Sequence, residues 1–409
     1  MKFSKLRQLL LVSAIGLVVA TFFSGCQLVT IDYLFVATQG TTITGSSTSC
    51  PNGEIETYAV DSESGAIRQA KPQVCSGGTA PVALAVSPGY ENLYAANQAS
   101  MNIVHFSVAL NGVLTNKDNV TLSTTPVALA VSPDGNTLYA VSGTASATLT
   151  AYSLSSGALG SVANQINLTL PSNPTDTIIP TSVRVLANGG AVYVTAYDQS
   201  SYNPGGTTTS TAIPGWVFGF AIGSGGALTP TPGSPYVAGV KPSALVADPT
   251  NRFVYVTDFA SNQLIGYGIY SGFQLNYLLN GPYKSGGEPT AISIDPRGKF
   301  MYVSDALDST VTAYVIDLPT GTPSTAVNTT GSQTNNTDTQ PVSIGVDPAL
   351  GRYVYTANYL GNSVSGFRLD PIAGTLTQTQ ATPYPLHGNN PTALVLVPHG
   401  NHALQTVTP

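Results

Sequence analysis

Charge is what this chain most lacks. Lys, Arg, Asp and Glu make up 8% of its 409 residues, where soluble domains carry about 25%. The balance is acidic, −6 overall, and no cluster of Lys or Arg appears, so no nucleic-acid partner is expected. Cysteine is equally scarce, at Cys26, Cys50 and Cys75 only. The four histidines, His105, His387, His399 and His402, show no HxxxH or HxH spacing, so neither a metal nor another cofactor is expected. Helical periodicity is missing beyond the first residues, which excludes a bundle or an α/β fold. No apolar run reaches the roughly 20 residues needed to span a bilayer.

The longest such run, residues 9–23, follows Lys2, Lys5 and Arg7 and has the length of a signal-peptide core. It ends in Phe23-Ser24-Gly25-Cys26, which resembles a bacterial lipobox. Residues 1–26 are therefore expected to be a lipoprotein signal, with Cys26 lipidated as the new N-terminus. Acyl chains contribute roughly 0.8 kcal/mol per buried CH₂, so several of them anchor stably. Gln27 stands where an inner-membrane retention signal places Asp. The expected location is the cell envelope, on the outer membrane or its periplasmic side. Cys50 and Cys75 then remain, and in an oxidising compartment they are expected to pair.

What the chain has in abundance is a repeat. The phrase PVALAVSPGYENLYAAN begins at Pro81 and PVALAVSPDGNTLYAVS at Pro126; related phrases begin at Pro180, Pro242, Pro289, Pro341 and Pro391. The spacings, 45 to 62 residues, suit one four-stranded propeller blade per repeat. In the copy from Pro242, residues 244–247, 253–257, 263–269 and 273–279 read as four strands, with Asp248-Pro249 opening the first turn. Residues 33–38, 55–61 and 66–71 lack a first strand, and 391–397 is a first strand lacking the rest. Joined, they complete a seventh blade and leave no free edge. The expectation is all-β: one seven-bladed propeller over 27–409, a monomer, closed by both chain ends. Small residues two positions after each proline (Ala83, Ser182, Ala244) and large ones at the next (Leu84, Val183, Leu245) are both expected to be buried.

The motif with Tyr255-Val256-Thr257-Asp258 and Tyr302-Val303-Ser304-Asp305 resembles the YVTN-type repeats of the lactonase propellers. That family includes 6-phosphogluconolactonase and carboxymuconate-lactonising enzymes, so the resemblance implies the propeller fold and a lactone hydrolase activity. Family enzymes carry a Pro-Arg-His or similar charged pair at the start of one first strand and an Asn-Glu pair after one second strand. At those positions this chain has Val82-Ala83, Thr181-Ser182, Ser243-Ala244 and Asn97-Gln98, Asp258-Phe259, Asp305-Ala306.

Long insertions at 39–53, 171–179, 197–215 and 324–340 all fall on one face, the top, by propeller topology. The first expectation is therefore an envelope-anchored binding scaffold. It would present a protein, glycan or small-molecule site on that face and hold the membrane through Cys26. The alternative is a lactone hydrolase, with Glu288 as general base, Lys241 stabilising an oxyanion and Asp258 beside them. Asp305 and His387 are further ligand candidates near the channel mouth. Against this, Asp258 and Asp305 end strands, where such residues cap turns, and Lys241–Glu288 suits a surface ion pair. Arg184 stands alone in its slot, whose other occupants are Ala85, Ala130, Val246, Ser293, Gly345 and Val395. It is expected either to bind an anion in the channel or to pair with Asp176 or Asp198.

Overall fold

The computed structural model describes residues 29–408 apart from 41–49, 51, 145, 202–213 and 327–333; the leader and Cys26 lie outside the described residues. Proline-led phrases form the inner strands, and each opens an antiparallel sheet. In the fourth blade the order outward is Pro242–Ala247, Phe253–Asp258, Gln263–Ile269 and Leu275–Tyr277. At the first turn the Asp248 carboxylate accepts the backbone N–H groups of Arg252 and Phe253, each at 2.7 Å. The outer strand is shorter than the expected 273–279. Phe273 ends a 3₁₀ turn at φ +63°, and the ladder resumes only at Tyr283–Lys284. Pro282 interrupts it, having no N–H to donate.

The seventh blade is built from both chain ends, as expected. Ala393–Pro398 pairs with Thr30–Thr38, which pairs with Glu54–Asp61 and then Ile67–Cys75. Cys50 and Cys75 are disulfide-bonded beside this blade. Among the described residues, seven apolar clusters make up the core, one between each adjacent pair of blades. Because every blade is covered on both faces, Phe253–Asp258 and Phe300–Asp305 are buried at every position.

Polar staples supplement these cores. Tyr94, Tyr193, Tyr255, Tyr302 and Tyr355 are fully buried. Their hydroxyls donate to carbonyls of the next blade's outer hairpin: Gly157, Phe273, Gly321, Gly374 and Gly65. This is why the repeat carries tyrosine on its second strand. Gly374 needs to be glycine on two counts, its φ of +73° and the Phe300 ring, which a Cβ would meet at 2.3 Å.

A second staple lies at the axis. Register slips between Pro242 and Ala244, and likewise in the other blades except the closing one, so in those six the residue after the proline sits in a bulge. Ser243 and Thr290 donate from these bulges to the Pro289 and Pro341 carbonyls at 2.6 and 2.7 Å, and Thr392 at the same position donates to Pro81 at 2.7 Å. The last of these crosses the seam between the chain ends. The large residues of the first strands are buried, apart from Leu84. The small ones, expected to be buried as well, are half-buried apart from Ala393, because they face an axial channel. No helix among the described residues is long and apolar enough to cross a membrane.

Candidate functional site

Seven inner strands enclose an axial cavity of about 460 Å³. Its wall is mostly Ala, Val, Leu and Ile, with hydroxyls from Thr181, Ser182, Ser243, Thr290, Ser293 and Ser343 among its polar groups. Arg184 is the only charged side chain among the lining residues. It also lines a cavity of about 340 Å³ at the lower mouth, with Asp248 and Asp295. Its side chain is open to the channel yet surrounded by protein, and burial pulls the guanidinium pKa below its usual value.

Neither carboxylate considered from the sequence pairs with Arg184. The strand register explains this for Asp198. Ile178 lies opposite Asp198, while Arg184 lies opposite Tyr193, near the other end of the strand. Asp198 instead receives the Ser200 N–H and the Ser201 hydroxyl. Among the described residues no ion pair holds Arg184, which makes it a cation available to an anionic ligand.

The candidates at the upper rim are each engaged by their own neighbours. Asp258 is fully buried; its oxygens accept the N–H groups of Val240 and Lys241 at 2.9 Å and the Gln263 amide at 3.0 Å. Asp305, also fully buried, accepts from Ser285 at 2.9 Å and Thr312 at 2.6 Å. Burial raises its pKa to about 6. Such a shift suits a general base, but this carboxylate is sealed from substrate. Both aspartates tie the loop entering a blade to that blade's second and third strands. The expected Lys241–Glu288 ion pair is not formed. Lys241 Nζ lies over the Phe259 ring at 4.8 Å and the Tyr197 ring at 5.6 Å. Glu288 is at φ +52° with its N–H donated to Asn262. Glu288, Lys241 and Asp258 are not among the residues that line the axial cavity.

His387 marks the same kind of latch in the closing blade. Its backbone N–H and that of Gly388 donate to the buried Glu56 carboxylate, at 3.1 and 2.8 Å. Tyr58 donates to it at 2.5 Å, and the His387 ring is 3.6 Å away. The sequence reading missed Glu54 and Glu56, both fully buried. Their signal was two acids on one face of an otherwise apolar strand. It also missed Asp32, Asp347 and His402, which meet on the lower face although no metal site was expected. Burial, then the neighbouring Asp347 carboxylate, pushes the Asp32 pKa well up. No local spacing could have signalled a group assembled from both ends of the chain.

A family model described as "Lactonase, 7-bladed beta-propeller" matches residues 109–405. Among solved structures, the chain is 17% identical to a periplasmic gluconolactonase of Pseudomonas aeruginosa, covering 90% of this chain and 99% of the other with a TM-score of 0.70. It is 18% identical to a candidate 6-phosphogluconolactonase of Bacteroides fragilis, over 91% and 99%, with a TM-score of 0.69. Hydrazine synthase of Kuenenia stuttgartiensis is also similar, at 16% identity over 80% and 99%, with a TM-score of 0.56. At these identities the likeness concerns fold. No curated protein matches the chain.

Proposed function

The chain belongs to the seven-bladed lactonase propeller family, and from that premise we propose that it hydrolyses the lactone of a sugar acid inside its axial channel. The observation that carries this reading is Arg184, the channel's only charged lining residue, with no ion pair among the described residues. A cavity of about 460 Å³ suits a single sugar ring. Its hydroxyl-bearing wall suits a polyol, and a guanidinium suits a carboxylate, a phosphate or a polarised carbonyl. The substrates in the names of the Pseudomonas and Bacteroides proteins, a gluconolactone and its 6-phosphate, have this chemistry.

In the reaction, a water oxygen bonds to the lactone carbonyl carbon and the ring C–O bond breaks. The departing ring oxygen takes a proton, and the new carboxylic acid releases one. Arg184 would donate to the carbonyl oxygen as negative charge develops there. One such donor is worth about 2.7–4 kcal/mol. Among the described residues the lining contains no carboxylate or imidazole, so attack falls to unassisted water on an activated lactone.

The test is hydrolysis of glucono-δ-lactone and of a phosphorylated sugar lactone by the purified protein, above the spontaneous rate. Arg184→Met, of similar shape, is expected to lower kcat/KM by about 10²–10³-fold. Turnover unchanged by this substitution would sink the assignment. The absence of a general base from the lining favours a second reading, a channel that binds the sugar acid without turnover. Gluconate binding that needs Arg184, with no hydrolysis, would establish it.

We also propose export and anchoring at Cys26, placing the protein at the envelope. The Cys50–Cys75 disulfide supports an oxidising compartment. Radiolabelled palmitate incorporated by the wild type but not by Cys26→Ala is the expected result.

A further inference from the structure

We propose that Asp32, Asp347 and His402 form a binding site for a divalent transition metal of the zinc class, clasping the C-terminal segment to the lower face of the closing blade. Asp32 comes from the strand Thr30–Thr38, Asp347 from the turn after Pro341–Val346, and His402 from the 3₁₀ helix Gly400–Leu404. All three are buried, and one ligand atom from each lies within 4.8 Å of the others. His402 Nε2 is 2.9 Å from Asp347 Oδ1 and 3.7 Å from Asp32 Oδ1. A tetrahedral ion with bonds of 2.0–2.1 Å holds its ligands about 3.3 Å apart, which falls between these two distances.

The independent sign of a ligand is Asp32 itself. It is fully buried, and neither carboxylate oxygen has a hydrogen-bond partner. An ion seated among the three groups would satisfy both carboxylates and neutralise their charge. The outer groups are in place. His402 Nδ1 is 2.9 Å from the Gln405 amide oxygen, which holds a proton on Nδ1, and a bound ion would take the place of the proton that Nε2 shares with Asp347 Oδ1 at 2.9 Å. Asp347 is held by the N–H groups of Ala349 and Arg352 at 2.9 and 3.0 Å. One imidazole with two carboxylates favours zinc or a neighbouring first-row ion over calcium or magnesium, which prefer all-oxygen sets. Lifting the terminal segment, whose Leu404 is exposed, would open the way in.

The experiment is calorimetric titration of chelator-stripped, tag-free protein with Zn²⁺, paired with thermal denaturation. We expect one equivalent to bind and the melting temperature to rise. Asp32→Asn and His402→Gln should each weaken binding about 100-fold or more. Asp32→Asn should also remove the Zn²⁺ effect on melting without lowering the melting temperature of the metal-free protein. Cobalt(II) added to the wild type should give the visible bands of a four-coordinate ion, a readout that needs no variant. Lack of saturable Zn²⁺ binding, binding unchanged in both variants, or equally tight calcium binding would overturn the proposal.

Discussion

Replacing Asp305 with asparagine tests whether this buried carboxylate is a structural latch that is costly to ionise. It is fully buried, and burial lifts its pKa from 3.8 to about 6. A shift of roughly two units corresponds to about 3 kcal/mol at 1.36 kcal/mol per unit. For an acid raised on folding, the stabilisation is fully present below the unfolded pKa near 4. It is lost as pH climbs through about 6. Asparagine keeps the shape but does not titrate, so the wild type should lose about 3 kcal/mol relative to Asp305→Asn between about pH 3 and pH 8. Unfolding a domain of about 380 residues carries an entropy of about 0.8 kcal/mol/K, so the difference in melting temperature should drift by about 4 °C. Calorimetry of both proteins across this range measures it. Asp61, Asp134, Asp347 and Asp370, whose pKa values are lowered, drive the opposite trend, but equally in both proteins, so they cancel. A carbon-13 carboxyl resonance absent from the variant should titrate near 6. A flat difference, or a resonance titrating near 4, would refute the reasoning.

The inter-blade tyrosines give a second prediction. Tyr302→Phe leaves the Gly374 carbonyl without the hydroxyl at 2.9 Å, which should cost about 1–3 kcal/mol in urea denaturation. The Cys50–Cys75 bridge spans 25 residues, so the double serine variant should lose about 3.5 kcal/mol in the chain-entropy model. Reduction of the wild type should reproduce that loss.

Much of the architecture was legible because its causes are local. A proline, an Asp-Pro or Ser-Pro turn and an aromatic-rich strand recur every 45 to 62 residues. Each states its own turn and strand without reference to distant parts of the chain. The unmatched strands at 33–71 and 391–397 required each other, since either alone would leave an open edge. The outer strand was less legible, because it bears few contacts and a proline divides it.

Side-chain roles followed different rules. Asp258 and Asp305 do not cap the turns that follow them; their partners come from the third strand and from loops up to 20 residues earlier. Lys241 and Glu288 each precede an inner strand, but Lys241 lies over aromatic rings and no ion pair joins it to Glu288. Arg184 was conspicuous in the repeat alignment; only the packed blades show that its strand carries it to the channel's lower end, away from Asp198.

The sequence by itself determined the number of blades, the closure by both ends and the membership in a propeller family, because periodic local chemistry encodes all three. Tertiary structure alone decided which charges meet. Asp32 and His402 come together only because closure brings the chain ends into one blade, and the strand register sets Arg184 opposite Tyr193, away from Asp198, with no ion pair among the described residues. Contacts of that kind depend on distances through space, which no spacing along the chain records.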